Sequence, residues 1–452
     1  MIRSLHWDDC KKSNAKNFWK IAYPASLEGL LLVLLSSVDL IMISSLGVEA
    51  TSAVGIFSQP KMVLLCLPRS FAVAVTAHIA ALYGGGKKQD IPFCMKQALV
   101  LIAIAGGILI GIAFLLLQPI LLLAGAQKEY LALAMTYSKL VVISLYFSSL
   151  SIVLHAGLMA VGKSGIMMIS NVLGNIVNVC INALLIHGIG FFPKMGVKGA
   201  ALGTFIGAFV TLLFTLAVVL KKENIVHICG KKGWIPKKKY ISAFGGMFVG
   251  AFSEQSAERV GMFLYSYMAA GLGTLSFAVH TVCMNLCDIY YSFAQGMGKA
   301  SLVLSANHLA AKKEKDFYYC IMVGQQIGFL LSLIACILYI IFRTPLIGLY
   351  HSENEVLQLG QNIMFFVAVV SFPEAQSLIC AGVLRGAGKI KYVAIYSLLS
   401  IAVWRPIFTW LLCYVLGFGI YGAWIALFVD QSTRSICSMI GIRNLNKKLQ
   451  LY

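Results

Sequence analysis

Long apolar runs recur along the whole chain, and they constrain its fold more than any other feature. The chain has 452 residues, of which 59% are hydrophobic and 12% are charged. An α-helix needs about 20 apolar residues to cross a bilayer, and the runs reach that length. They lack the alternation of apolar and polar residues that marks a membrane β-barrel. We therefore predict an all-α polytopic membrane protein with twelve transmembrane helices.

The placement of charge indicates topology. The formal net charge is +19, and most cations fall in alternate connections, beginning with the amino terminus. Cytoplasmic loops carry such an excess, so we expect a multi-pass protein of the plasma or inner membrane with both termini cytoplasmic. This placement explains the charge without a nucleic-acid partner. The first twenty residues are polar and lack a cleavage site, so we expect no cleaved signal peptide.

Motifs for bound metals and for enzymatic catalysis are missing from the sequence. The twelve cysteines are scattered, with no CxxC pair and no His/Cys cluster at zinc-site spacing. Neither HExxH nor GxSxG occurs. We expect no disulfide, no metal site, no cofactor and no enzymatic activity.

The two halves of the chain resemble each other, with their similar segments in the same order. LG followed by AV occurs at 46–54 and again at 272–279. Likewise, AGLMAVGK at 156–163 resembles AGVLRGAGK at 381–389. The offset between the copies is about 226 residues.

This repeat predicts the domain organisation. Each half holds six predicted spans, an even number, so both copies cross the membrane in the same sense, as in parallel-repeat transporters. We predict six-helix lobes at residues 1–220 and 241–452, joined by a basic cytoplasmic linker at 221–240. The seven lysines of the linker fit either contact with anionic lipid or a plain orientation signal.

Two carboxylic acids, Glu28 and Asp39, interrupt the first apolar span. Eleven residues separate them, which leaves roughly 20° between their directions on a helix, so both lie on one face. A charged residue costs about 2.5 to 3.5 kcal/mol at the bilayer centre and usually faces a bundle interior or a wet cavity. We interpret this face as lining an ion pathway. The alternatives are that Glu28 lies near the headgroups or contacts Lys20, and that Asp39 hydrogen-bonds neighbouring helices.

Further polar side chains recur in spans five and seven. Span five carries a stripe of three asparagines at helical spacing: Asn175, Asn178 and Asn182. Either contacts between helices or a ligand site explains this stripe. In span seven, Glu254 and Glu258 lie four residues apart beside Arg259, and the repeat offset pairs Glu254 with Glu28. An ion pair between Glu258 and Arg259 is the purely structural alternative.

Spans eight and ten add two acids, Asp288 and Glu374. Glu374 follows Pro373, which frees a backbone carbonyl, so the two kinds of oxygen suit Na⁺ or a proton. A plain kink with a satisfied acid is the alternative. Nearby aromatic rings offer π faces to cationic substrates, although packing also explains them. The predicted substrate-cavity residues are Tyr265, Glu258, Tyr290, Tyr291, Phe293 and Gln376.

Several stretches together carry a family resemblance over essentially the full length of the chain. They are VDLIMISSLG, NIVNVCINALLIHGIGFFPKMGVKGAALGT, SEQSAERVGMFLYSYMAAGLGT, AGVLRGAGK, WRPIFTWLL and GFGIYGAWIALFVDQSTR. In this order and spacing, the chain resembles the multidrug and toxic compound extrusion (MATE) transporters, in the large group that also contains flippases. The resemblance implies two lobes forming a V, and efflux of organic cations or amphipathic compounds driven by H⁺ or Na⁺.

The resemblance also assigns roles to residues. Asp39 matches the acid of span one, Asn178 a polar partner in span five, and Glu254 the acid of span seven. Many relatives carry Asp where this chain has Asn182, so a two-carboxylate proton site in the first lobe is in question. Glu28 with Asp39, or Glu254 with Asp288 or Glu374, then becomes the candidate. The predicted cation-coupling residues are Asp39, Glu28, Asn178, Asn182, Glu254, Asp288 and Glu374.

Two hypotheses for function stay open within this fold group. The first is a secondary antiporter that exports small cationic or amphipathic molecules in exchange for H⁺ or Na⁺, as a monomer in contact with membrane lipid. The second is a flippase or exporter of a lipid-linked or bulky metabolite. Cations in the spans keep the second open: Lys61, Arg69, Lys139, Arg259, Lys299 and Arg405.

Overall fold

The computed structural model describes residues 9–188, 192–230, 232–350 and 354–449. Within these ranges the chain forms helices joined by turns and no strand, which confirms the all-α prediction. The predicted cytoplasmic ends at residues 1–8 and 450–452 lie outside the described ranges.

Twelve helices of 23 residues or more occur in the described part of the chain, one for each predicted span. The first six are α1 (Asp9–Ser44), α2 (Ser58–Gly84), α3 (Ile91–Leu115), α4 (Lys128–Ala160), α5 (Ser164–His187) and α6 (Val197–Val219). The second six are α7 (Lys238–Ala270), α8 (Thr274–Ala310), α9 (Glu314–Ile341), α10 (Asn354–Gly386), α11 (Ile390–Val415) and α12 (Gly419–Lys448). Short helices at Val48–Gly55, Leu117–Leu123 and Arg343–Gly348 lie in the connections.

The distribution of polar residues separates the long helices into two classes. Eight are long and apolar enough to cross a membrane by length and composition alone: α2 to α6 and α9 to α11. The other four are α1, α7, α8 and α12, which carry Asp39, Glu254, Asp288 and Asp430 respectively. Ionisable residues in a membrane helix must face a partner or a wet cavity. The less apolar helices therefore carry most of the candidate site.

The backbone repeats at the offset found in the sequence. Gly47 has φ 103° and ψ 175°, and Gly273, its counterpart in the second half, has φ 102° and ψ 161°. Only glycine readily adopts this conformation. In each half it forms the turn that follows the first long helix.

A second turn shows the same repeat with a different residue. Gly86 has φ 75°, and Lys312, its counterpart at the same offset, has φ 55°. Lys312 is the sole non-glycine residue with positive φ within the described ranges. The turn therefore has a positive φ in both halves, although only the first copy has glycine there.

The chain divides into two compact units. One comprises Met1–Ser26 with Ser253–Tyr452, and the other comprises Leu27–Phe252. Their boundaries fall within α1 and α7, at equivalent positions of the repeat. Each unit has its own apolar core, which includes Val141 and Ala201 in the second unit and Trp424 in the first. The lobe limits 1–220 and 241–452 stay a prediction.

Replacing either turn glycine by alanine tests the backbone repeat. We expect Gly47→Ala and Gly273→Ala each to destabilise the protein by about 1 to 3 kcal/mol, because a Cβ atom disfavours the backbone conformation at both positions. Gly111→Ala and Gly246→Ala are the controls, since these helical glycines have no neighbouring atom within 4 Å of an added Cβ. Thermal unfolding in detergent measures the effect. Equal stability of the turn and control variants would contradict the prediction.

Candidate functional site

The carboxylate of Asp39 lies near the end of α1 and contacts α5. Asp39 is half-buried, and the side-chain amide of Asn182 donates a hydrogen bond of 3.0 Å to its Oδ1 atom. Asn182 itself is 1% exposed. Two predicted site residues are thus in direct contact, and the donor to the acid carries no charge.

Close packing of α6 against α5 holds the Asn182 amide in place. A Cβ atom added at Gly203 would lie 2.0 Å from the amide oxygen of Asn182. At Gly207 it would lie 2.9 Å from the Cβ of Asn178. Because both positions exclude a side chain, the backbone of α6 packs directly against the asparagine stripe. Within the described ranges the amide oxygen of Asn182 has no hydrogen-bond partner, so the amide is held through its nitrogen.

The other asparagines of the stripe make local contacts. Asn178 is buried and donates to the hydroxyl of Thr204 over 3.4 Å. Asn175 donates to the backbone oxygen of Asn171 over 2.7 Å. Asn178 therefore neighbours Asn182 on the face toward α6, whereas Asn175 turns back onto its own helix.

A cation lies near Asp39. Lys61, at the start of α2, is half-buried and within electrostatic range of both Asp39 and Arg69. Among the described residues, the hydrogen bond to Asp39 comes from Asn182 and not from Lys61. Asp39 is therefore contacted directly by a neutral amide, and within the described ranges Lys61 lies nearby without a hydrogen bond or salt bridge to it.

Glu28 and Glu254 occupy equivalent positions with different partners. Glu28 is 5% exposed and its Oε1 atom accepts a hydrogen bond from the amide of Asn171. Glu254 is 9% exposed and accepts a hydrogen bond of 3.2 Å from Ser397. Both pairs are separated by 143 residues. Glu254 also forms a salt bridge of 2.5 Å with Arg385, so an arginine compensates its charge directly.

Within the described ranges, Asp430 is the centre of a buried ionic cluster that the sequence did not lead us to predict. Asp430 on α12 is 1% exposed and forms salt bridges with Arg405 on α11 and with Arg434, the latter over 3.2 Å. Ser400 donates a further hydrogen bond of 2.6 Å to Asp430. An acid and an arginine four residues apart in a largely apolar span were the sequence signal for this cluster.

Glu374 lies near this cluster and differs from the other acids. It is 3% exposed, and it lies within electrostatic range of Arg434, Asp288 and Arg405. Within the described ranges Glu374 forms no salt bridge, and the thiol of Cys287 lies 4.0 Å from its carboxylate. Helix α10 continues through the preceding proline. Asp288 itself is exposed.

The predicted substrate-cavity residues are placed in several environments. Tyr265 is fully buried and donates to the backbone oxygen of Ala423 over 3.0 Å. Tyr290 shares a hydrogen bond of 2.7 Å with Ser332. The half-buried members are Glu258, Tyr291, Phe293 and Gln376. Tyr291 donates a hydrogen bond of 2.9 Å to Glu258. Tyr265 and Tyr290 are therefore core residues in this structure, and the role of the set in binding substrate stays a prediction.

The comparisons with known proteins agree on one family for this chain. The MatE family model matches the chain twice, at residues 24–184 and 251–411, so that each match falls on one copy of the internal repeat. A probable multidrug resistance protein NorM of Thermotoga maritima is 24% identical over 429 residues, covering 94% of this chain and 91% of the relative.

Solved structures show the same fold. A mutant of the Vibrio cholerae MATE transporter VcmN has a TM-score of 0.90 at 20% identity, covering 98% of this chain and 100% of that one. A MOP superfamily transporter from Pyrococcus furiosus, described as having a binding pocket of reverse polarity that suggests a different function, has a TM-score of 0.89 at 19% identity. That match covers 97% of each chain. Because the family model covers most of both halves, the chain belongs to the MATE family and is a multi-pass membrane transporter, not an enzyme.

Proposed function

We propose that this protein is a secondary antiporter that exports organic cations or amphipathic drugs and metabolites in exchange for H⁺ or Na⁺ by alternating access. The observation that carries the proposal is the half-buried carboxylate of Asp39, which a neutral amide contacts directly. One negative site cannot cheaply hold two positive ligands, so uptake of the coupling ion expels the substrate cation. A charge that crosses the full membrane potential gains about 2.3 kcal/mol per 100 mV.

Three features support Asp39 as the primary coupling residue. It is less buried than Glu254 or Glu374. Its direct partner Asn182 carries no charge, so an arriving proton or Na⁺ displaces no buried cation. Lys61 lies near enough to stabilise the ionised form between ligands. The site then works with one carboxylate, although Asn182 cannot ionise.

Glu374 is the second proposed coupling residue. It is deeply buried and is within electrostatic range of two arginines, Arg405 and Arg434, without a salt bridge to either. Glu254 couples only if a cation competes with Arg385, because the salt bridge already compensates its charge. Removing one partner of a buried ion pair costs about 3 to 5 kcal/mol. Displacing Arg385 from Glu254 therefore costs more free energy than displacing the neutral Asn182 amide from Asp39.

The alternative is a flippase or exporter of a lipid-linked or bulky anionic metabolite. It is favoured by three arginines of limited exposure: Arg385, Arg405 and Arg434. Each of them forms a salt bridge with Glu254 or Asp430, so these three arginines leave little positive charge for an anion. Cation export is therefore the better-supported function. We further propose a monomer with both termini and the linker in the cytoplasm.

Replacing the proposed coupling acid tests this function. In everted vesicles, Asp39→Asn is expected to lower gradient-driven export of a cationic dye at least tenfold, because the site loses its exchangeable charge. Asp90→Asn is the matched control, since Asp90 is an exposed acid at the start of α3. Imposing ΔpH and ΔNa⁺ separately identifies the coupling ion. Unchanged export by Asp39→Asn would refute the assignment, and absence of dye export by the unmodified protein under either gradient would refute the antiporter.

A double-variant cycle tests whether Glu254 couples or only stabilises. We expect Glu254→Gln and Arg385→Gln each to destabilise the protein by about 3 to 5 kcal/mol, because each leaves an unpaired buried charge. The double variant leaves none, so we expect its destabilisation to be clearly smaller than the sum of the two. Thermal unfolding gives stability, and vesicle transport gives coupling. Loss of export in a stable double variant would make Glu254 a coupling residue, whereas wild-type export would make the pair structural.

A further inference from the structure

The predicted linker is bound to helix α3 by a buried lysine. The side chain of Lys96 is 4% exposed, and its Nζ atom donates to three backbone oxygens, those of Cys229, Gly230 and Lys232, over 2.6, 2.9 and 2.9 Å. Charge-assisted bonds of this kind are stronger than neutral ones. Because the three acceptors are close in the chain, one ammonium group holds the linker at residues 229, 230 and 232.

The next residue of α3 fixes the following part of the linker. The amide of Gln97 donates to the backbone oxygens of Gly233 and Ile235 over 2.6 and 2.8 Å. Its own oxygen accepts from the backbone N–H of Lys237 over 2.7 Å. Both ends of the Gln97 amide are thereby used. The stretch around Trp234 is held on α3 at defined positions instead of forming a free tether.

This docking places Trp234 beside an apolar groove. The indole N–H donates to the oxygen of Gly230 over 3.1 Å, and the ammonium of Lys96 lies 5.9 Å from the ring centre. The groove has a volume of about 250 Å³ and is open on one side. Its lining consists of Leu99, Val100, Ala103, Leu150, Leu212, Leu216 and Trp234. Helices α3, α4 and α6 supply the other walls.

The groove has the size and depth for a hydrocarbon chain. An apolar cavity of about 150 Å³ in an engineered protein already binds benzene and excludes water. Leu99 lies eight residues into α3, which places the groove roughly 12 Å along the helix from its start. One leaflet of a hydrocarbon core about 30 Å thick spans about 15 Å, so we expect the groove to lie within the leaflet on the linker side.

The linker that supplies Trp234 to the groove is basic and partly apolar. The exposed lysines of the described linker residues are Lys221, Lys222, Lys232, Lys237, Lys238 and Lys239. Glu223 is the single acid among the linker residues. Ile235 is 80% exposed, and Trp234 is 38% exposed. Tryptophan favours the level of the lipid headgroups, and clustered lysines attract anionic lipid.

We propose that this groove binds an acyl chain of an anionic phospholipid, with the linker lysines contacting its phosphate and Trp234 packing beside the chain. The groove residues give no polar contact to a hydrophilic substrate, and the lysines favour an anionic headgroup over a zwitterionic one. Lys96 and Gln97 keep the groove open by holding the linker. The lipid ties the linker to the membrane, and with it the start of α7.

Quenching by brominated lipid tests the proposal. The full-length protein is reconstituted in vesicles containing phosphatidylglycerol and phosphatidylcholine, with bromine on the acyl chains of one lipid at a time. The Trp234 signal is the difference between the unmodified protein and Trp234→Phe. We expect brominated phosphatidylglycerol to quench this signal at least twofold more than brominated phosphatidylcholine, and 0.5 M salt to reduce the preference.

Matched variants separate the groove from general lipid contact. Replacing Lys237, Lys238 and Lys239 by Gln is expected to abolish the preference, whereas the same change at Lys312, Lys313 and Lys315, an exposed basic turn elsewhere, leaves it intact. Ala103→Phe, which fills the groove, is expected to lower quenching by both lipids, and Ile104→Phe, outside the lining, is not. Equal quenching by both lipids in the unmodified protein, or no effect of Ala103→Phe, would overturn the proposal. Thermal unfolding of each variant in detergent confirms that it is folded.

Discussion

An ionised carboxylate inside a bilayer is stable only if neighbouring groups replace the water it has lost, and this constraint organises the polar interior of the protein. Three acids meet it in different ways. Asp39 is contacted by the neutral amide of Asn182, Glu254 by one arginine, and Asp430 by two arginines and a serine. The more completely a fixed cation compensates an acid, the less a mobile cation gains by approaching it. Of these three acids, Asp39 has the weakest fixed compensation, which supports the proposed exchange at this position.

The two halves of the repeat have equivalent helix crossings but different polar residues at them. In the first half, α5 and α6 cross so closely that a Cβ at Gly174 would lie 2.7 Å from the backbone oxygen of Gly207. GVKGAA at 196–201 corresponds to GIYGAW at 419–424, so α12 is offset from α6 by 223 residues. The equivalent crossing of α11 and α12 therefore carries Ser400 and Asp430, which hydrogen-bond each other over 2.6 Å. Two glycines are thus replaced by a polar pair that anchors an ionic cluster. The second half is stabilised by fixed charges, whereas the first half keeps an acid with a neutral partner.

The linker supplies the polar groups that satisfy another buried charge. Lys96 is a buried cation that three backbone oxygens satisfy, and it converts a lysine-rich connection into a fixed part of the unit Leu27–Phe252. The exposed lysines then belong to a linker whose Trp234 lines an apolar groove. A flexible linker of the same composition would still carry the positive charge that is typical of a cytoplasmic loop. It would not hold its side chains at defined positions.

The sequence alone determined the twelve helices, the internal repeat and the family, because span length, apolar composition and ordered motifs are properties of the chain itself. It also placed Asp39 and Asn182 at one site through the family resemblance. Only the tertiary structure decided which partner each acid has. Glu254 meets Arg385 across 131 residues, and Lys96 meets a backbone turn that carries no side-chain signal. Such pairings depend on how helices pack at long range, and no local pattern encodes that packing.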